Sequence, residues 1–149
     1  MRLHGATALV GLSVAACSPS VQGSPEPFEI VGDTIPTPLT TVIGNADLGQ
    51  SIFKDRDSGH CVLCHAIDGL QADFQGNLGP ALSDVGARLT EGQIRLRIVD
   101  PTRLNSDTVM PAYYKTDGLH QVAHGFKDKP VLSAEEIEHV VAYLSKLEG

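Results

Sequence analysis

Residues 61–65 read Cys-Val-Leu-Cys-His, the spacing of a c-type haem attachment site. The chemistry uses each part of it. Thiols three positions apart reach the two vinyl groups on one edge of a porphyrin and form thioethers that keep the cofactor from dissociating. The histidine directly after the second cysteine is then held beneath the iron, where an imidazole nitrogen is an axial ligand. Val62 and Leu63 need only be small or apolar enough to face the ring edge. A redox dithiol, a structural disulfide or half of a zinc site would also use two such cysteines. A thioredoxin-like dithiol asks for alternating strands and helices, which this sequence lacks. A zinc site asks for a second ligand pair, and no cysteine follows Cys64. None of these alternatives explains His65 as well.

The 149 residues amount to one domain with a tail. Aromatic content is low and tryptophan is absent. A covalent haem would add a large, flat apolar body to so small a core. The net charge of −7 argues against nucleic acid as a partner. The acidity is spread along the chain and names no partner by itself.

Residues 1–16 have the form of a signal peptide. Arg2 gives a positive start, and residues 6–16 form an apolar run too short to span a bilayer. Val14-Ala15-Ala16 offers the small residues that a signal peptidase needs. Export to the periplasm suits the haem reading, because haem c is normally attached after export. Cys17 follows the cut point, and Val-Ala-Ala-Cys resembles a bacterial lipobox. Cys17 is therefore a candidate lipid anchor; the alternative is ordinary cleavage that leaves it unmodified or removes it. Residues 17–44 read as a Pro-rich tether holding five of the nine prolines. Its second part, Phe28-Glu-Ile-Val-Gly-Asp-Thr-Ile-Pro, is more apolar than a free linker needs, so it is expected to lie on its own domain or on a partner.

Residues 45–149 form the expected folded unit. Asn45 is a plausible N-cap, with Leu48, Ile52 and Phe53 at helical spacing up to about Arg56. Residues 66–82 are mostly loop, with Gly69, Gly76, Gly79 and Pro80. Small cytochromes c often place a Gly-Pro pair here, whose proline carbonyl accepts a hydrogen bond from the haem histidine. Pro80 is the candidate for that role, the alternative being an ordinary turn. Thr90-Glu-Gly-Gln93 and Ser133-Ala-Glu-Glu136 have the form of capping boxes, each opening a helix. Asp100-Pro101 ends the first of these helices. The second carries an apolar stripe of Ile137, Val140, Val141, Leu144 and Leu147. It is expected to cross the Leu48–Phe53 stretch near Gly49, with Tyr143 at the contact and His139 toward the polar side. Between the two boxes stands Met110, the only methionine after Met1, in Asp-Thr-Val-Met-Pro-Ala-Tyr-Tyr. Its thioether is a soft ligand suited to the sixth position of a haem iron; a core gap-filler is the bland alternative. His60, His120 and His124 compete for that position, although a solvated pair is the simpler reading of the last two. Tyr113 and Tyr114 either line the haem edge or pack structurally. The result is an all-α, class I cytochrome c domain wrapped around one covalent haem c, with an extended N-terminal segment.

Several stretches are more specific. Phe28-Glu-Ile-Val-Gly-Asp-Thr-Ile-Pro-Thr-Pro-Leu, Gly76-Asn-Leu-Gly-Pro80, Arg95-Leu-Arg-Ile-Val-Asp-Pro101 and Thr108-Val-Met-Pro-Ala-Tyr-Tyr114 accompany the haem motif and the terminal helix. Together they resemble the SoxX family, the small monohaem subunit of the SoxAX complex of sulfur-oxidising bacteria, over nearly everything from about Glu26 onward. The resemblance implies iron ligated by His65 and Met110, a SoxA-like partner that carries the catalytic haem, and a SoxYZ-like carrier protein. It implies an L-cysteine S-thiosulfotransferase complex that oxidatively joins thiosulfate to a carrier cysteine. This chain would be the electron-accepting subunit, handing electrons to an acceptor cytochrome and supplying no catalytic residue for the sulfur chemistry. A lipid anchor at Cys17 is not a general trait of that family. The competing functions are a free-standing periplasmic electron carrier and, opposed by a filled sixth position at Met110, a haem-based gas sensor.

Overall fold

The computed structural model describes residues 27–149. The signal-peptide and Cys17 expectations lie outside the described residues. Among the described residues there are four α-helices, α1 (Ala46–Lys54), α2 (Val85–Arg88), α3 (Glu91–Val99) and α4 (Ala134–Leu144); α2 and α3 are nearly contiguous, and the other connections are long loops that contain short 3₁₀ turns. Among the described residues the only strand-like feature is an isolated bridge between Val31 and Thr34.

Each longer helix begins where its local chemistry dictates. The Asn45 side chain accepts the backbone N–H groups of Asp47 and Leu48 at 2.9 and 3.2 Å. Thr90 and Gln93, then Ser133 and Glu136, form reciprocal capping boxes. Helix α1 stops at Lys54, two residues short of Arg56. There Asp55 turns extended and its carboxylate accepts the N–H of Asp57 at 2.8 Å, which favours a turn over another helical residue.

Helices α1 and α4 cross at Gly49, as the sequence suggests. A Cβ added to Gly49 would lie 1.9 Å from the His139 carbonyl oxygen and 2.9 Å from the Tyr143 Cβ. Phe53 and Tyr143 meet edge-on there, with ring centroids 5.9 Å apart. His139 is half-buried, and its Nδ1 accepts the Asn45 N–H at 3.0 Å. The end of the chain folds back onto α2, where the Gly86 N–H donates to the Leu147 carbonyl at 2.8 Å.

The N-terminal strap packs on its own domain. Ile35 and Leu39 are in the core, and the Phe28 ring lies tilted against Tyr114 with centroids 6.1 Å apart. Arg95, which the apolar spacing of α3 sets among core positions, is only 2% exposed. Its guanidinium grips Glu138 of α4 through two 2.7 Å hydrogen bonds and donates a third to the Ile35 carbonyl at 2.8 Å. Glu138 also accepts the Leu39 N–H at 2.9 Å. One bidentate pair therefore ties the strap, α3 and α4 together with its polar atoms satisfied.

Candidate functional site

After α1 the chain reaches His60, held in the left-handed region at φ 58°, where histidine is tolerated better than bulkier residues. Its N–H donates to the Asp55 carbonyl at 2.9 Å. A 3₁₀ turn, Cys61–Leu63, follows, and the His65 N–H closes it onto the Cys61 carbonyl at 2.9 Å. Both cysteines are free thiols rather than a disulfide. The Cys61 Sγ donates to the Gly59 carbonyl at 3.3 Å, and burial pushes its thiol up to about 12. That is the wrong direction for a reactive redox dithiol. No group of three or more His, Cys, Asp or Glu side chains able to hold a metal ion occurs among the described residues, which leaves the zinc alternative without support.

The Gly-Pro loop fixes the histidine. The His65 Nδ1 lies 2.7 Å from the Pro80 carbonyl oxygen. With Nδ1–H as donor, Nε2 is left with a lone pair free to bind metal. Gly79 lies against the face of the ring: a Cβ there would sit 2.4 to 2.9 Å from three ring atoms. The loop is pinned in turn by the Gly79 N–H to the Cys64 carbonyl at 2.8 Å and the Gly76 N–H to the Val62 carbonyl at 2.9 Å.

Met110 approaches from the loop after α3. Its N–H donates to the Thr108 hydroxyl at 3.2 Å. The loop hangs from the C-terminal carbonyls of α3, with the Tyr113 N–H on Ile98 at 3.0 Å and the Tyr114 N–H on Val99 at 3.4 Å. Cys61, Cys64, His65, Met110 and Tyr113 line one cavity, completed by His60, Leu78 and Val109 among others. His65 and Met110 also line an adjoining cavity, walled mainly by apolar side chains of α2, α3 and α4 and bordered by Arg88 and Arg97. The imidazole and the thioether thus stand between two apolar hollows, with the thiols on one side.

The residues present fit a flat apolar ring carrying a central iron: thiols at one edge, a nitrogen donor and a soft sulfur donor between the hollows. His120 and His124 are exposed and line neither cavity, and the 3₁₀ turn begins only at His124, so they share no helix. Of the competing histidines only His60 reaches the site. Tyr113 is buried against it, and burial followed by the neighbouring Cys61 and Cys64 raises its phenol. Tyr114 faces Phe28 instead. The close approach of Gly79 to His65 was visible only as half of a Gly-Pro pair, and the wall formed by α2 left no periodic signal in four residues.

This helical frame around such a cleft defines a cytochrome c. The family model described as Cytochrome c matches residues 46–148, and the chain belongs to that family, whose cofactor is haem c. Within it the chain is SoxX-like: it is 34% identical to a chain of the crystal structure of SoxXA from P. pantotrophus, covering 85% of this chain and 98% of that one, with a TM-score of 0.78. The c-type cytochrome SorU from Sinorhizobium meliloti is a looser match, at 26% identity, 70% and 91% coverage and a TM-score of 0.45. No curated protein matches the sequence.

Proposed function

We propose that this chain is the haem-bearing, electron-accepting subunit of a SoxAX-type complex that couples thiosulfate oxidatively to a cysteine of a SoxYZ-type carrier. The observation that carries the reading is the placing of His65 and Met110 between the same two hollows, beside both cysteines. Cys61 and Cys64 would hold one haem c as thioethers, with His65 and Met110 as axial ligands and Pro80 orienting His65. The haem supplies reversible one-electron chemistry. With His65 and Met110 holding the iron and both thiols consumed as thioethers, no further residue lining these hollows would be left to bind or activate sulfur.

Joining the outer sulfur of thiosulfate to a thiol forms one S–S bond, releases the thiol proton and removes two electrons. A one-electron acceptor takes these singly, so the bond-forming step belongs on a SoxA-like partner, and this chain withdraws the electrons and passes them to an acceptor cytochrome. The similarity to SoxXA supports the partner. Export to the periplasm and anchoring through a lipidated Cys17 belong to the same reading; Cys17→Ser would then release the protein from membranes.

One observation favours a free-standing carrier. The strap at residues 28–39 is spent within its own domain, burying Ile35 and Leu39, and so does not by itself call for a partner. Purification of the native protein separates the readings, because a stable cytochrome partner excludes a simple shuttle. The functional test is reduction of this haem during turnover. The isolated chain should make no sulfur–sulfur bond, yet become reduced once the partner, thiosulfate and the carrier are added. Thiosulfate oxidation by the isolated chain, or a haem that stays oxidised throughout turnover, overturns the assignment.

A further inference from the structure

The loop that delivers Met110 is closed by a second ion pair. Asp100 is the C-terminal cap of α3 and the N-cap of the following 3₁₀ turn, Pro101–Arg103, so it stands where the loop leaves the helix. Lys115 stands where the loop returns, directly after Tyr113 and Tyr114 have bonded back to α3. The Lys115 Nζ lies 3.4 Å from Asp100 Oδ2, with the two side chains 28% and 11% exposed. The other carboxylate oxygen accepts the Thr102 N–H at 3.2 Å and the Thr102 hydroxyl at 2.5 Å. Arg103 and Asp117 line the same hollow as this pair, and neither forms an ion pair among the described residues. A carboxylate this buried keeps its charge at low cost only while its partners are in place.

We propose that Asp100 is a positioning residue: its ion pair with Lys115 closes the stem of the methionine loop and sets how firmly Met110 is held at its ligand position. The inference rests on the reading of Met110 as an iron ligand. Asp100→Asn keeps the oxygen that accepts from Thr102 and removes the charge. Lys115→Met removes the partner and keeps the chain length, and Lys115→Arg keeps the charge.

The readout on the oxidised holoprotein is the rate at which added imidazole displaces the sixth ligand, together with the weak far-red sulfur-to-iron band. Asp100→Asn and Lys115→Met are each expected to speed displacement roughly threefold to fivefold, as loss of a partly buried pair implies. The double variant should be no faster than the singles, and Lys115→Arg should match the wild type. A merely structural role would lower the melting temperature without this shared, non-additive change in ligand exchange. Should Asp100→Asn fail to fold, Lys115→Met and Lys115→Arg decide the matter alone. A wild-type displacement rate in Lys115→Met, or additive effects in the double variant, overturns the inference. If Met110→Ala leaves the far-red band intact, it is the ligand reading that fails. If Met110→Ala abolishes the band and the Asp100 and Lys115 variants behave as wild type, only the present inference fails.

Discussion

At the scale of single residues, the site depends on two side chains, His65 oriented by the Pro80 carbonyl and Met110 carried by a loop bonded back to α3. Met110→Ala should abolish the far-red sulfur-to-iron band, lower the reduction potential and open the iron to added ligands; spectroscopy with a redox titration measures all three. An unchanged spectrum would pass the role to His60, the one competing histidine that lines the cavity. Gly79→Ala should be as disruptive as a direct ligand change. Its Cβ would fall 2.4 Å from the His65 Cε1, so the ring must tilt or the loop must move, and the bond to Pro80 suffers either way. The expected result is a low yield of holoprotein with a shifted Soret band; a normal yield and spectrum would show that the loop yields without the ring.

At the scale of elements, close approach and one buried pair hold the frame. Gly49→Ala places a methyl group 1.9 Å from the His139 carbonyl oxygen and should cost about 1–3 kcal/mol in denaturant unfolding, the usual cost of overpacking. Glu138→Gln leaves Arg95 buried without a countercharge and should cost about 3–5 kcal/mol, whereas Arg95→Met with Glu138→Gln, which keeps an acceptor for the Leu39 N–H, should recover much of that loss. A double variant no more stable than Glu138→Gln would refute the pairing as the source of the cost. The contrast between these features explains what was legible in the sequence. The helix starts at Thr90 and Ser133 and the cluster of Cys61, Cys64 and His65 are local patterns, readable over a few residues. In the sequence Arg95 is one of two charges, with Arg97, set between apolar positions of α3. Its meaning lies in Glu138, 43 residues away, and in the Ile35 carbonyl, 60 residues away, and no periodicity carries that information. Nor does spacing reveal that Asp100 meets Lys115; the apolar second part of the proline-rich segment was legible as a docking stretch, but not that Ile35 and Leu39 enter the core of its own domain.

At the scale of the whole molecule, the chain is a small helical frame whose loops, more than its helices, bring the functional residues together. Helix α3 supports the methionine loop, the Gly-Pro loop supports the histidine, and the strap binds α3 to α4. This organisation suits a protein that exchanges electrons without rearranging, because both proposed axial ligands come from segments pinned by backbone hydrogen bonds at several points. In the function proposed above, electron acceptance sits on this chain and bond formation between sulfur atoms on its partner. All of this rests on the covalent attachment of one haem through Cys61 and Cys64. The most direct test is the intact mass of the denatured native protein, read beside acidified-solvent extraction. The expected mass is one haem group above that of the mature polypeptide, with colour retained by the protein after extraction. A polypeptide at its bare mass, with haem recovered in the solvent, would contradict it.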